Sequence, residues 1–394
     1  MDKKKILVIN TKYREFGGED SNIIEELNLL KQNFTTEYLE FDNNEKLSIT
    51  DLISFFTLNN KKSNRKLLIK LKEFNPDIVY VNNTWFKANL GIIKLLKEKK
   101  LPIFLKIHNF RYDCSRYFLS RNHLNGSKIC FKCGFEYKTF KFFNKYYSNS
   151  YLRSLALIIY GKKYFKILKK DISNIFVLNN FHKDYIEKLG IEPDKITVSY
   201  NPINKIKEKE IYFNKTANYV VYAGRVVNEK GLYELIQAWK QSKTTLNLKI
   251  IGEGPLRSEL ENLISDLEIC DRVSLPGLSK DIHEDYNIAD IFVIPSKFES
   301  FGIVTAEAML YSLPVIGFSD CIGTNKLIID NITGLLVQPS QNKVLSLASA
   351  MEKLMKSETK RLKFGKAGLN RINLYSSNDI IADKWERFLK KNIN

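Results

Sequence analysis

The chain has no apolar run near the roughly 20 residues needed to span a bilayer, so no segment reads as a transmembrane helix. A secretory signal pattern is also missing. Lys3-Lys4-Lys5 runs straight into Ile6-Leu-Val-Ile9, which is too short for a signal core and reads as a first strand. Cysteine is scarce and odd in number, five in all. That excludes a fully paired disulfide scaffold and leads us to expect thiols and a cytoplasmic location. No Asp-x-Asp pair occurs, so a catalytic divalent metal is not expected. There is no short-period repeat and no low-complexity linker. Residues 137–170 contain no Asp or Glu.

With 394 residues the chain is too long for one ordinary core, so two domains are expected. A hydrophobic content of 44% fits a globular rather than a disordered protein. The formal charge of +18 points to nucleic acid, an anionic membrane surface or a polyphosphate substrate. Genome base composition is an alternative source of the global excess, but not of its local clustering.

Strands alternate with helices of 10 to 15 residues, the mark of βαβ units and parallel sheets. In the first half, strands are expected at Ile6–Asn10, Pro76–Val81, Pro102–Ile107, Asn174–Leu178 and Ile196–Ser199, with a polar, partly helical region up to Phe74. Lys205–Thr216 is charged and aperiodic, and the domain boundary is placed there. The rhythm restarts with Tyr219–Ala223, Leu246–Ile251, Val273–Leu275, Ile291–Ile294 and Pro314–Gly317 as strands. The expected domains are 1–205 and 206–375, with residues 376–394 returning to the first.

The densest signal is Pro295-Ser-Lys-Phe-Glu-Ser-Phe-Gly-Ile-Val-Thr-Ala-Glu-Ala-Met309. It reads as the end of a buried strand, a polar turn, a glycine and a helix. Glu299 falls on the turn and Glu307 about one and a half turns into the helix, so both can face the carboxyl end of a parallel strand. Free amides near Phe301 and Gly302 make an anion site. Carboxylates beside an anion site suit a ligand with phosphate at one end and hydroxyls at the other, such as a nucleotide sugar. Upstream, Ala223-Gly-Arg-Val-Val-Asn-Glu-Lys-Gly231 follows a strand and precedes a helix. Arg225 and Lys230 project from this loop as one fork and one point charge for a diphosphate. Ile251-Gly-Glu-Gly-Pro-Leu-Arg257 repeats the strand–turn–helix pattern, and Gly252 serves either a tight turn or direct ligand contact.

The order of these motifs resembles the retaining glycosyltransferases of the GT-B fold, the group 1 or family 4-like set that includes bacterial surface-polysaccharide enzymes. Gly-Arg-x(4)-Lys-Gly comes first, then Gly-x-Gly-Pro-Leu, then the Glu299/Glu307 block, then Pro314-Val-Ile and Asn331-Ile-Thr-Gly-Leu-Leu-Val337. The resemblance is specific from Tyr219 to Val337 and looser before that. It implies two Rossmann-like domains facing across a cleft, with a C-terminal helix crossing back. It implies that Glu307 binds ribose hydroxyls, Glu299 faces the donor sugar, and Arg225 and Lys230 neutralise the diphosphate. Gly224, Gly252, Phe301, Gly302, Ile303 and Val304 would line the donor site, and Val273–Gly277 would lie beside the base. Ser300 stands where many relatives have glycine. In the first half the resemblance places Gly17 and Gly18 near donor phosphates and acceptor, His108 near the donor sugar, and Asn201 near the interdomain link. It implies a UDP-sugar or GDP-sugar donor, a saccharide or lipid-linked acceptor, no required cofactor, and a path in which the leaving phosphate assists deprotonation.

Three features stand outside that scheme. Cys130-x-x-Cys133, with Cys114 and His123, has spacing for a structural zinc, with free thiols and a redox pair as alternatives. The acid-free segment 137–170 interleaves lysines with aromatics, which suits an anionic membrane surface, single-stranded nucleic acid, or a basic face over a core. Given the resemblance, a peripheral position at the inner face of the cell membrane is expected, and nucleic acid is not. The end segment carries Ile380, Ile381, Trp385 and Phe388 on one side, with Trp385 as the interdomain anchor. The rivals are a basic nucleic-acid-binding protein, a GT-B nucleotide-sugar epimerase, and a phosphorylase. No lysine is placed for the last one's pyridoxal phosphate.

Overall fold

The computed structural model describes residues 3–12, 18–43, 48–85, 87–108, 150–203, 219–242, 244, 246–297, 299, 301–338, 342–375 and 385. The chain forms two compact units, Met1–Pro202 with Asn378–Asn394, and Ile203–Ser377. Gly17, the zinc candidates Cys114, His123, Cys130 and Cys133, residues 137–149, and the Lys205–Thr216 boundary lie outside the described residues. Cys270 and Cys321 are free thiols.

The first unit is built on β1 (Lys5–Lys12), β2 (Thr35–Asp42), β3 (Ile78–Val81), β4 (Ile103–Ile107), β5 (Asn174–Val177) and β6 (Ile196–Val198). They form one parallel sheet in the order β2-β1-β3-β4-β5-β6. Its central strands are buried throughout because helices cover both faces. One face packs the Leu7, Val79 and Leu105 side of the sheet against helices Gly91–Glu98 and Tyr151–Lys170. The other buries Ile6, Tyr80, Phe104 and Phe176 under helix Gly18–Asn33 and Trp385. Trp385 stacks on Phe176 at 4.6 Å and meets Tyr80 edge-on at 4.9 Å. The chain end therefore returns to the first core.

On that face the Lys106 ammonium donates to Glu26, and the Tyr80 hydroxyl donates to the same carboxylate at 2.9 Å. Both charges are nearly inaccessible. A buried pair of this kind holds only when each partner is satisfied, so it locks helix Gly18–Asn33 to the sheet.

The edge strand β2 falls within the region expected to be polar and partly helical. Thr-Thr-Glu-Tyr-Leu-Glu-Phe-Asp buries only Leu39 and Phe41 deeply, so its apolar signal is weak. Within the acid-free segment 137–170, Tyr164 and Phe165 of helix Tyr151–Lys170 belong to the core of the first unit, as the basic-face-over-a-core alternative requires.

The second unit contains β7 (Tyr219–Ala223), β8 (Asn247–Ile251), β9 (Val273–Gly277), β10 (Ile291–Ile294), β11 (Val315–Phe318) and β12 (Gly334–Val337). Its parallel order is β12-β11-β10-β7-β8-β9. The chain winds outward from β7 to β9, then reverses through β10 to β12. The switch point therefore lies between β7 and β10, where open α/β sheets place ligands beyond the strand carboxyl ends.

His182 is buried in the first unit, and burial pushes its imidazole pKa down to about 3. The unfolded chain takes up a proton near pH 6.5, whereas the folded chain does so only near pH 3. Stability is therefore full above about pH 6.5 and falls by up to about 1.4 kcal/mol per pH unit below it for this one residue. Urea melts at descending pH are expected to show that slope, and His182→Gln is expected to reduce it, leaving the part that buried His108 adds.

Candidate active site

Beside the switch point the loops after β7 and β8 meet because glycines let their backbones touch. Gly252 has φ of 139°, and a Cβ there would sit 1.9 Å from the Gly224 carbonyl oxygen. A Cβ on Gly254 would sit 2.2 Å from that of Val226. The Val226 amide donates to the Glu253 carbonyl at 2.8 Å. This loop-on-loop contact accounts for the second glycine motif without a ligand. Gly231, at φ 67°, lies against β10's exit in the same way, with a Cβ position 2.1 Å from the Pro295 carbonyl oxygen.

That last approach brings Lys230 to the carboxylate turn. Its ammonium lies 2.5 Å from Glu299 Oε1, and the Ser296 hydroxyl donates to the same oxygen at 2.8 Å. The Gly323 amide, in the first turn of helix Ile322–Leu327 that follows the loop after β11, donates to the Glu299 carbonyl at 3.1 Å. Cys321 in that loop is buried; burial and then the Glu299 charge push its thiol up to about 12. Lys230 and Glu299 are largely shielded from solvent. Arg225 is instead 56% exposed and only 3.5 Å from Glu229, a surface pair of little intrinsic strength. Its guanidinium is free to reorient toward an anion.

Gly302, at φ 83°, caps helix Ile303–Leu310 without any side-chain cap. The Thr305 and Ala306 amides turn back to the Gly302 carbonyl at 2.9 and 3.1 Å. The first-turn amides of Ile303 and Val304 sit at the positive end of the helix. Beside them the buried Thr305 hydroxyl has no partner. Phe301 is buried against this turn.

Glu307 lies further along the same helix and accepts from the Tyr286 hydroxyl at 3.2 Å. Burial pushes its carboxyl pKa up, opposed by the Tyr286 bond and by His283. Tyr286 itself is held well above the ordinary phenol range, first by burial and then by Glu307. Tyr222 donates to the Arg225 carbonyl at 3.0 Å and feels the Glu299 charge, while Tyr286 feels Tyr222. Arg225, Lys230, Glu299 and Glu307 thus share one neighbourhood, linked by two buried phenols.

The first unit has its own polar edge. His108 follows β4, is buried, and faces Asn82 after β3, with Nε2 and Oδ1 2.7 Å apart. The Asn82 amide nitrogen donates to Asn10 Oδ1 at 3.2 Å, and the Asn10 nitrogen donates to the Tyr38 hydroxyl at 3.3 Å. Tyr38 donates to Glu40 at 2.8 Å. An amide oxygen can only accept, so His108 carries its proton on Nε2 and leaves Nδ1 as an acceptor. Burial, followed by the charges of Lys106 and His182, holds the ring well below the ordinary histidine pKa, hence neutral. Asn201 and Ser199 follow β6; both are buried, and Asn201 Oδ1 and Ser199 Oγ lack partners. Gly18 is the first residue of helix Gly18–Asn33. Sequence reading missed Asn10, Asn82, Thr305, Tyr222 and Tyr286. For Asn82 the polar residue just past the end of β3 was the available signal.

Among the described residues no cluster of three or more His, Cys, Asp or Glu is placed to hold a metal. Residues 204–371 match the family model for glycosyl transferases group 1. Capsular polysaccharide biosynthesis glycosyltransferase CapM of Staphylococcus aureus is 32% identical over 203 residues, 50% of this chain and 51% of that protein. The N-acetylgalactosamine-N,N'-diacetylbacillosaminyl-diphospho-undecaprenol 4-alpha-N-acetylgalactosaminyltransferase of Campylobacter jejuni is 30% identical over 159 residues, covering 40% and 44%. The match thus spans about half the length of these relatives. Anabaena HepE, solved in complex with UDP and glucose, superposes with a TM-score of 0.70 at 17% identity, over 98% of this chain and 100% of that one. Most of the second unit thus resembles the group 1 glycosyl transferases, and the chain as a whole has the GT-B fold.

Proposed function

We propose that this chain moves a sugar, with retained anomeric configuration, from a UDP-sugar or GDP-sugar to a saccharide or lipid-linked acceptor in cell-surface polysaccharide or glycolipid synthesis. The observation that carries this reading is the cluster at the carboxyl ends of β7 and β10. There an ammonium, a helix N-terminus and an unpartnered buried hydroxyl lie in one neighbourhood with two carboxylates. A nucleoside diphosphate sugar matches it end to end. The match to relatives named for capsular polysaccharide and diphospho-undecaprenol chemistry supports the acceptor class.

The diphosphate takes the helix amides and Thr305, and draws Lys230 away from Glu299. Exposed Arg225 swings in as the second cation. Charge building on the leaving phosphate is then met by groups already in place, which is where electrostatic stabilisation acts. Glu299, freed from Lys230, turns to the donor sugar. Glu307 accepts from the ribose hydroxyls, so it is not an acid or base at the anomeric carbon. In the first unit, His108 Nδ1 is an acceptor open to a substrate hydroxyl.

A thermal-shift panel of UDP, GDP, ADP and their sugars tests the donor site. One nucleotide class is expected to raise the melting temperature selectively, and the matching sugar is expected to turn over on membrane lipid extract. Equal shifts from every compound, or none, would refute the reading. Turnover of the donor without any acceptor would favour an epimerase.

A further inference from the structure

We infer that the exposed face shared by helices Ile49–Thr57 and Tyr151–Lys170 is a docking surface for an anionic lipid bilayer. In helix Tyr151–Lys170 the buried side carries Leu157, Tyr160, Tyr164, Phe165 and Leu168. Its opposite stripe runs Leu152, Leu155, Ile159, Lys162, Lys166 and Lys170, at steps of three and four residues, and all six are exposed. The stripe is apolar at its first half and basic at its second. Helix Ile49–Thr57 lies alongside: Phe55 stacks on Tyr160 at 4.0 Å, and the Lys163 ammonium donates to the Phe56 carbonyl. It adds exposed Ile53 and Phe56 to the apolar end.

A core does not explain these side chains, because they point away from it. Leu152 is 81% exposed and Ile53 56%. The charge is one-sided as well. Helix Tyr151–Lys170 has no acid, the Asp51 carboxylate of its neighbour is buried against Lys87, and Asp171 just beyond pairs with Lys97. Apolar side chains entering the acyl boundary beside lysines reaching lipid phosphates are how a helix lies in a membrane interface. No helix among the described residues is long and apolar enough to cross the bilayer. Lysines alone would serve a nucleic acid equally; the four exposed aliphatic side chains and Phe56 would not. This inference stands apart from the transfer chemistry, and its test needs no turnover.

The probe is co-sedimentation of the full chain with phosphatidylcholine vesicles, with and without phosphatidylglycerol. Binding is expected only with phosphatidylglycerol. Lys162→Ser with Lys166→Ser is expected to weaken it by roughly thirtyfold, from about fivefold for each surface lysine. Ile53→Ser with Leu152→Ser, one change on each helix, is expected to weaken it by roughly tenfold or more. These positions are exposed, so both double variants should melt with the unvaried chain. Failure of the unvaried chain to bind anionic vesicles would overturn the proposal. So would loss in the lysine variant with none in the aliphatic variant, since charge alone would then suffice and single-stranded oligonucleotide would compete equally.

Discussion

Lys230→Ala is expected to lower kcat/KM for sugar transfer by about 10²–10³. The ammonium is the shielded cation of the cluster, held 2.5 Å from Glu299 within the turn that faces it. The same change leaves the Glu299 carboxylate with Ser296 as its side-chain donor, so a stability loss of about 1–3 kcal/mol is expected as well. The two effects separate in a double variant. Lys230→Met with Glu299→Gln removes both charges, so urea melts are expected to recover most of the stability while initial rates stay low. If rates recover with stability, Lys230 serves only the fold of the turn and the donor reading of this cluster fails.

Glu307→Gln is expected to weaken nucleotide binding by about 10- to 100-fold, because a carboxylate accepting from two hydroxyls is replaced by an amide that accepts at one atom. Isothermal titration with the preferred nucleotide and its 2′-deoxy form tests the assignment. The unvaried chain should distinguish the two, and Glu307→Gln should lose most of that distinction. Affinity is also expected to fall as pH is lowered toward the carboxyl's raised pKa, since a protonated carboxyl offers one fewer acceptor. Unchanged discrimination in the variant would remove Glu307 from the ribose site. Tyr286→Phe leaves the carboxylate in place but deletes its 3.2 Å donor. A smaller loss of affinity is therefore expected there.

Much of the second unit was legible in its residues. Tyr219–Ala223 and Ile291–Ile294 are strands with the expected bounds, and Asn331–Val337 is the expected turn and short closing strand. The first two are buried inner strands, so their apolar runs are continuous and end at Gly224 and Pro295. β2 was missed for the opposite reason. It is an edge strand, half exposed, with glutamates among its apolar residues. For the lysine–aromatic segment 137–170 composition left a membrane surface, nucleic acid and a basic face over a core open; in its described part, helical periodicity sends Tyr164 and Phe165 inward and Lys162 and Lys166 outward.

From its residue order alone the chain determined two runs of parallel βαβ units, a carboxylate-bearing turn before a helix, and a basic loop between glycines. Those are properties of neighbours within about a dozen residues, where spacing and backbone preference act directly. Only the folded arrangement decided that Lys230 pairs with Glu299 across 69 positions, that Tyr286 meets Glu307, and that Glu40, Tyr38, Asn10 and Asn82 line up behind His108. Apart from Tyr38 with Glu40, which share β2, these contacts join elements brought together by strand order. A parallel sheet sets that order through long crossovers, which leave no periodic trace in the segments they connect.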